Sequence, residues 1–145
     1  MGIKHISEIM TTKLHTVRPD ASIEEAAQIM AEEDIGWLPV VNHEHQLIGT
    51  LTDRDIVLRA VAKAKDVDTK VEDVMTMGVI AAQIEDGVEQ VARLMQDNQI
   101  RRIAIVDQGM KPVGVISLGD LAQRTRDERL VYTTTDQVAA PAPTS

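Results

Sequence analysis

The chain repeats itself, and that limits its architecture more than any other feature, because the fold has to be built twice from one pattern. An offset of 65 residues (Met10 to Met75) aligns Glu8 to Arg59 with the second half without a gap. Met10-Thr11 recurs as Met75-Thr76. Glu24, Ala27, Met30, Ile35, Val41, Gly49, Asp55 and Arg59 meet Glu89, Ala92, Met95, Ile100, Val106, Gly114, Asp120 and Arg124. Apolar positions between these identities match in kind, and so do the turns.

Each copy reads as strand, helix, hairpin, helix. A short β-prone segment, Leu14 to Val17 or Val79 to Ala82, leads into a helix. Apolar residues at Ile23, Ala26, Ala27 and Met30, and at Val88, Val91, Ala92 and Met95, follow the spacing of a one-faced helix. Ser22, three residues before Glu25, is a capping-box signature for the first helix. Trp37 to Val41 with Leu47 to Leu51, and Ile103 to Val106 with Val113 to Ile116, read as hairpins around polar turns. A closing helix follows Thr52 or Ser117, with Ile56, Val57 and Ala60 in one copy and Leu121 and Ala122 in the other. The expected class is α/β in the α+β sense, two βαββα repeats packed as a pseudo-symmetric pair. The expected division is 1–65 and 66–130, with 62–69 as a charged connector. The stretch 131–145, with Pro141 and Pro143 among small polar residues, is expected to be disordered.

Composition excludes several function classes. The chain has 145 residues, enough for a real core, and no apolar run approaches the ~20 residues of a membrane helix. The first ten residues mix charged and apolar types without the apolar centre of a secretory signal, so a cytoplasmic location is expected. There is no cysteine, which removes thiolate metal sites and sulfur redox chemistry. A net charge of −8 argues against nucleic acid as partner. Trp37 and Tyr132 are the only aromatic residues, so no base-stacking platform can be built.

One constellation could carry chemistry. Gly49-Thr50-Leu51-Thr52-Asp53-Arg54-Asp55 and Gly114-Val115-Ile116-Ser117-Leu118-Gly119-Asp120 share Gly-x-x-Ser/Thr-x-x-Asp at the end of the second hairpin strand. A carboxylate there can accept hydrogen bonds from both hydroxyls of a ribose, with the Ser/Thr hydroxyl beside a phosphate. The same spacing is also that of a helix capping box, and both readings stand at this stage.

The tandem units, the phrase Asp34-Ile35-Gly36-Trp37-Leu38-Pro39-Val40-Val41 and the phrase Leu51-Thr52-Asp53-Arg54-Asp55 closely resemble the cystathionine-β-synthase (CBS) domain family, over roughly Ile6 to Arg126. The chain is similar to a stand-alone CBS pair with no catalytic or transport domain attached. The resemblance implies binding of AMP, ADP, ATP, NAD(H) or S-adenosylmethionine in clefts between paired repeats, and dimers assembled into flat discs. Carried over residue by residue, it implies that Asp55 and Asp120 hold ribose, with Thr52 and Ser117 near ribose or phosphate. Adenine would lie against Val79, Ile80 and Val115 in one site and Leu14, His15 and Thr50 in the other. Arg101 and Arg102 match a position that is often basic in members that bind phosphates. Gly36-Trp37 stands there in the first copy and departs from that pattern; Arg54 is a candidate to compensate. The two sites are therefore unlike, and the Ser117/Asp120 site is favoured.

Other readings compete. Arg101 and Arg102 also suit a helix end, where cations complement the dipole. Trp37 fits an interface better than an adenine stack. His43-Glu44-His45 suggests a metal, but a solvated turn accounts for it better, and no metal is expected. There is no nucleophile elbow and no phosphate-binding loop of the Gly-Lys-Ser/Thr type, so no enzyme is expected. The leading expectation is a regulatory module that senses an adenosine-containing nucleotide, requires no cofactor, forms a homodimer and acts on an unidentified downstream protein. The alternative is a structural dimerisation module with no small-molecule ligand.

Overall fold

The structure, a computed structural model, describes residues 5–124. The chain divides into two compact units, and each contains one repeat.

The first-repeat unit comprises His15–Val79 with Gly109–Pro112. Its first helix, α1 (Ile23–Glu33), starts where the backbone N–H of Glu25 donates to the Ser22 hydroxyl at 3.1 Å, the cap expected from the sequence. It ends at Asp34, whose left-handed backbone (φ 54°) turns the following Ile35 N–H onto the Met30 carbonyl at 3.0 Å. Strands β1 (Trp37–Val41) and β2 (Leu47–Thr52) form an antiparallel hairpin with Trp37 opposite Thr52 and Leu38 opposite Leu51. Strand β3 (Thr76–Met77) adds antiparallel to the other side of β2. Helix α2 (Asp53–Arg59) follows β2 directly. Ile23, Ala26, Met30, Leu38, Val40, Leu51, Val71 and Val74 are buried in one aliphatic core.

The second-repeat unit comprises residues 5–14, 80–108 and 113–124 of the described chain. Strand β4 (Ala81–Gln83) runs parallel to β5 (Arg102–Val106), and β6 (Pro112–Ser117) completes the sheet. Helix α3 (Val88–Asn98) buries Val88, Val91, Ala92 and Met95, the expected stripe. Helix α4 (Leu118–Arg124) closes the unit. Ile6 and Ile9 join this core.

The chain passes between the two units at Leu14/His15 and at Val79/Ile80, and Gly109–Pro112 belongs to the first-repeat unit. Thr11 bridges Val115 through two backbone hydrogen bonds of 2.9 and 3.0 Å. Thr76 pairs with Thr50. Each Met-Thr segment thus precedes one repeat in sequence and packs on the second hairpin strand of the other, in the same register. Gly49 and Gly114 make this possible. A Cβ at Gly49 would lie 2.6 Å from the Thr76 carbonyl oxygen, and one at Gly114 would lie 2.7 Å from Met10 Sδ and 3.1 Å from the Thr11 carbonyl oxygen.

Three local expectations need correction. The opening strand of the first repeat, expected over Leu14 to Val17, is reduced to one parallel bridge between Val17 and Val40. Ala27 is exposed, because the covered face of α1 runs through Ile23, Ala26, Ile29 and Met30 and its methyl lies on the flank. Val57 is 54% exposed and Ala122 is exposed: each closing helix has only seven residues and turns a narrow face inward. The stretch 131–145 lies outside the described residues.

Candidate functional site

The two Gly-x-x-Ser/Thr-x-x-Asp motifs fold alike. Where β2 ends, Thr52 keeps an extended backbone (φ −117°, ψ 162°) and its hydroxyl accepts from the Asp55 N–H at 3.0 Å; Asp55 Oδ2 in turn accepts from the Thr52 N–H at 3.0 Å. Where β6 ends, Ser117 Oγ accepts from the Asp120 N–H at 3.1 Å, and Asp120 Oδ2 from the Ser117 N–H at 2.8 Å. Both motifs are therefore closed capping boxes, satisfying donors that a helix start leaves orphaned. The cap occupies Oδ2 of each aspartate. Oδ1 is the atom through which either carboxylate could accept from a ligand hydroxyl.

The surroundings of the two carboxylates differ. Asp55 is 13% exposed at its side chain. The Thr76 hydroxyl lies 3.4 Å from both of its oxygens, and Arg59 Nε lies 4.0 Å from Oδ1. Arg59 also donates through Nη1 to the Val74 and Met75 carbonyls at 3.4 and 3.1 Å, holding the Met75-Thr76 segment beside the aspartate. Thr76 was not singled out from the sequence; the recurrence of Met-Thr was the signal that could have found it. Asp120 is half-buried, and among the described side chains none beyond the cap hydrogen-bonds to it.

A backbone bond joins each motif to the residue that precedes the first hairpin strand. The Leu118 N–H donates to the Arg101 carbonyl at 3.0 Å, and the Asp53 N–H to the Gly36 carbonyl at 3.0 Å. Arg101 therefore sits at the start of α4, beside Ser117, with the exposed Arg102 next to it. In the first-repeat unit the corresponding place is glycine, and a carboxylate fills the space before it: a Cβ on Gly36 would lie 2.7 Å from Asp53 Oδ2. Asp53 Oδ1 accepts from the Arg54 N–H at 2.8 Å, and the Arg54 side chain is exposed.

The remaining candidates are distributed between the units. Thr50 and His15 are half-buried in the first-repeat unit, which also holds the exposed Val79. Leu14 and Val115 are half-buried in the second-repeat unit, which also holds the exposed Ile80. Each trio expected to line an adenine draws residues from both units. His15 Nε2 lies 3.3 Å from Glu33 Oε2.

His43 and His45 are exposed in a turn organised by Asn42, whose Oδ1 accepts from the N–H groups of Glu44 and Gln46. His43 Nδ1 accepts from Arg18 at 2.8 Å. Among the described residues, no three His, Asp or Glu side chains come together as a metal cluster, and no helix is long and apolar enough to cross a membrane.

Residues 6–61 and 71–127 each match the family model described as CBS domain. The chain belongs to the CBS domain family. The CBS domain-containing protein YhcV of Bacillus subtilis (strain 168) is 42% identical over 117 residues, 81% of this chain and 82% of that protein. Among solved structures, the CBS domain pair of protein MJ0100, in complex with 5′-methylthioadenosine and S-adenosyl-L-methionine, is 30% identical with a TM-score of 0.74, covering 83% of this chain and 94% of that one. CBSX2 in complex with AMP is 25% identical with a TM-score of 0.73, covering 82% and 93%. The mixed α/β fold of a CBS pair is thereby established for this chain.

Proposed function

We propose that this CBS pair is a regulatory module, not an enzyme, that binds an adenosine-containing ligand, with the Ser117/Asp120 motif of the second-repeat unit as its principal site. The supporting observation is the backbone bond between Leu118 and Arg101, which brings the chain at the exposed Arg101 and Arg102 next to the strand end that carries Ser117 and the half-buried Asp120. Asp120 Oδ1 accepts from the ribose hydroxyls, and Arg101 and Arg102 neutralise a 5′-phosphate through charge-assisted hydrogen bonds. The adenosyl ligands of the MJ0100 pair and of CBSX2 support the ligand class. The module acts as a cytoplasmic homodimer and passes occupancy to a downstream protein, to the extent that ligand affinity differs between two of its states.

Thermal unfolding of the purified chain with AMP, ADP, ATP, NADH and S-adenosylmethionine tests this. A ligand at a hundredfold over its dissociation constant adds ~2.7 kcal/mol of stability. A rise in melting temperature with a phosphorylated ligand, lost in Asp120→Ala and weakened by about tenfold in affinity in Arg101→Ala/Arg102→Ala, is the expected result. Unchanged curves with all five compounds would sink it.

A second reading has its own support. Both aspartates already serve as caps, and Val57, Leu58 and Val61 are exposed on α2 and the turn after it. A purely structural dimerisation module would show neither ligand shift nor any effect of Asp120→Ala on association.

A further inference from the structure

We infer that the two units take adenosyl ligands of different charge class, and that Gly36 and Asp53 set the choice in the first-repeat unit. This rests on the adenosyl reading above and adds a selectivity to it. The Thr52/Asp55 site matches its counterpart atom for atom in the cap: the same strand end, the same hydroxyl, the same carboxylate. What differs is the place next to the hydroxyl, where a 5′ substituent would extend.

In the second-repeat unit the backbone of Arg101 meets that of Leu118 at that place, and Arg101 and Arg102 are exposed. Leu118 packs against the core and carries no charge. In the first-repeat unit the corresponding residues are Gly36, Trp37 and Asp53. Gly36 offers no side chain, and the Asp53 carboxylate stands in the volume a side chain would take, 2.7 Å from where its Cβ would be. Arg54 is the one cation in this stretch, and it is flanked by Asp53 and Asp55. A phosphate brought here meets the Asp53 carboxylate at close range, while the Arg59 guanidinium is already held by Asp55 and by the Val74 and Met75 carbonyls, and the repulsion is little screened at such distances. A neutral thioether or a cationic sulfonium at the 5′ position meets no such penalty, and the cation gains from Asp53. The first-repeat site therefore admits an uncharged or cationic 5′ substituent and rejects phosphate, while the second-repeat site takes phosphate.

Isothermal titration of the full chain with AMP, 5′-methylthioadenosine and S-adenosylmethionine, repeated on Asp120→Ala, tests this, with circular dichroism confirming the fold of each variant. The Asp120→Ala chain should bind 5′-methylthioadenosine or S-adenosylmethionine at least about tenfold tighter than AMP. Asp53→Asn, which removes only an exposed charge, should then raise its AMP affinity several-fold. Gly36→Arg with Asp53→Leu, which installs the second unit's residues and clears the clash, should reverse the order. If Asp120→Ala binds AMP as tightly as 5′-methylthioadenosine, or binds none of the three while the unaltered chain binds one, the charge selection is wrong and the adenosyl reading stands. If the unaltered chain binds none, the adenosyl reading itself fails.

Discussion

The first-repeat and second-repeat units close the same hydrogen-bonded cap next to residues of different charge. Thr52 with Asp55 and Ser117 with Asp120 make the same two bonds at nearly the same lengths. Beside them, the backbone of Gly36 meets Asp53 in one unit, and that of Arg101, followed by Arg102, meets Leu118 in the other. The difference separates two demands on one sequence pattern. Helix starts must satisfy their backbone donors wherever they occur, so the cap is kept in both copies. Charge beside the cap contributes little to folding and is free to diverge. The hairpin ends diverge as well: the Leu47 N–H donates to the Met110 carbonyl at 2.9 Å, whereas the matching donor position in the second repeat is Pro112, which has no N–H.

The comparison breaks first if the cores are unequal. Leu51 and Ile116 are counterparts on the second hairpin strands, and both are fully buried. Leu51→Ala and Ile116→Ala should each cost about 2–5 kcal/mol, through lost burial and the cavity left behind. Denaturant unfolding followed by circular dichroism checks this. Costs differing by more than about 2 kcal/mol would mean that the two units do not share the burden of stability as their matched burial implies.

A smaller effect sharpens the contrast between the crossed segments. At Gly49 a new Cβ would strike the Thr76 carbonyl, part of the β2–β3 ladder, so backbone has to move. At Gly114 the nearest atom is Met10 Sδ, within a flexible side chain that can move, and the Thr11 carbonyl oxygen at 3.1 Å needs to give by only a few tenths of an ångström. Gly49→Ala should destabilise by about 1–3 kcal/mol and Gly114→Ala by roughly 1 kcal/mol or less. Melting temperatures of the two variants, in the same buffer, decide it; equal shifts would show that both Met-Thr segments are held equally tightly.

Much of this was legible from periodicity. The two long helices, both hairpins and the closing helices lie where the apolar spacing and the polar turns put them, because a helix face or strand edge in a small core has few alternatives. The exchange of Met-Thr segments between the sequence repeats was not legible. A repeat reports which residues correspond, and nothing local says whether a segment packs on its own copy or on the other. The opening strand at Leu14 to Val17 was overread for a related reason: β-prone residues specify a strand only when a partner edge is present, and β1 offers Val17 a single bridge. At the site, Thr52, Asp55, Ser117 and Asp120 were legible as a motif, and Arg101 and Arg102 as its neighbours. Asp53 stood in the motif without a role of its own; its position against Gly36 depends on a hairpin and a helix meeting, which linear spacing does not report.

The smallest difference between the repeats lies at the start of the long helices. Ser22 caps α1, and its counterpart Gly87 starts α3 without any side-chain bond. Replacing Ser22 by glycine gives the first repeat the start that the second already tolerates, and it should cost only a few tenths of a kcal/mol, because glycine leaves the freed N–H groups open to water. Ser22→Ala removes the same oxygen but shields those donors with a methyl group, and should cost about 1 kcal/mol, or about 2–4 °C in melting temperature for a chain of this size. Paired thermal melts of the two variants separate the mechanisms. A loss in Ser22→Gly as large as in Ser22→Ala would mean that the hydroxyl itself, rather than access of water to the helix start, holds α1 in place, and that α3 needs another source of support than its glycine.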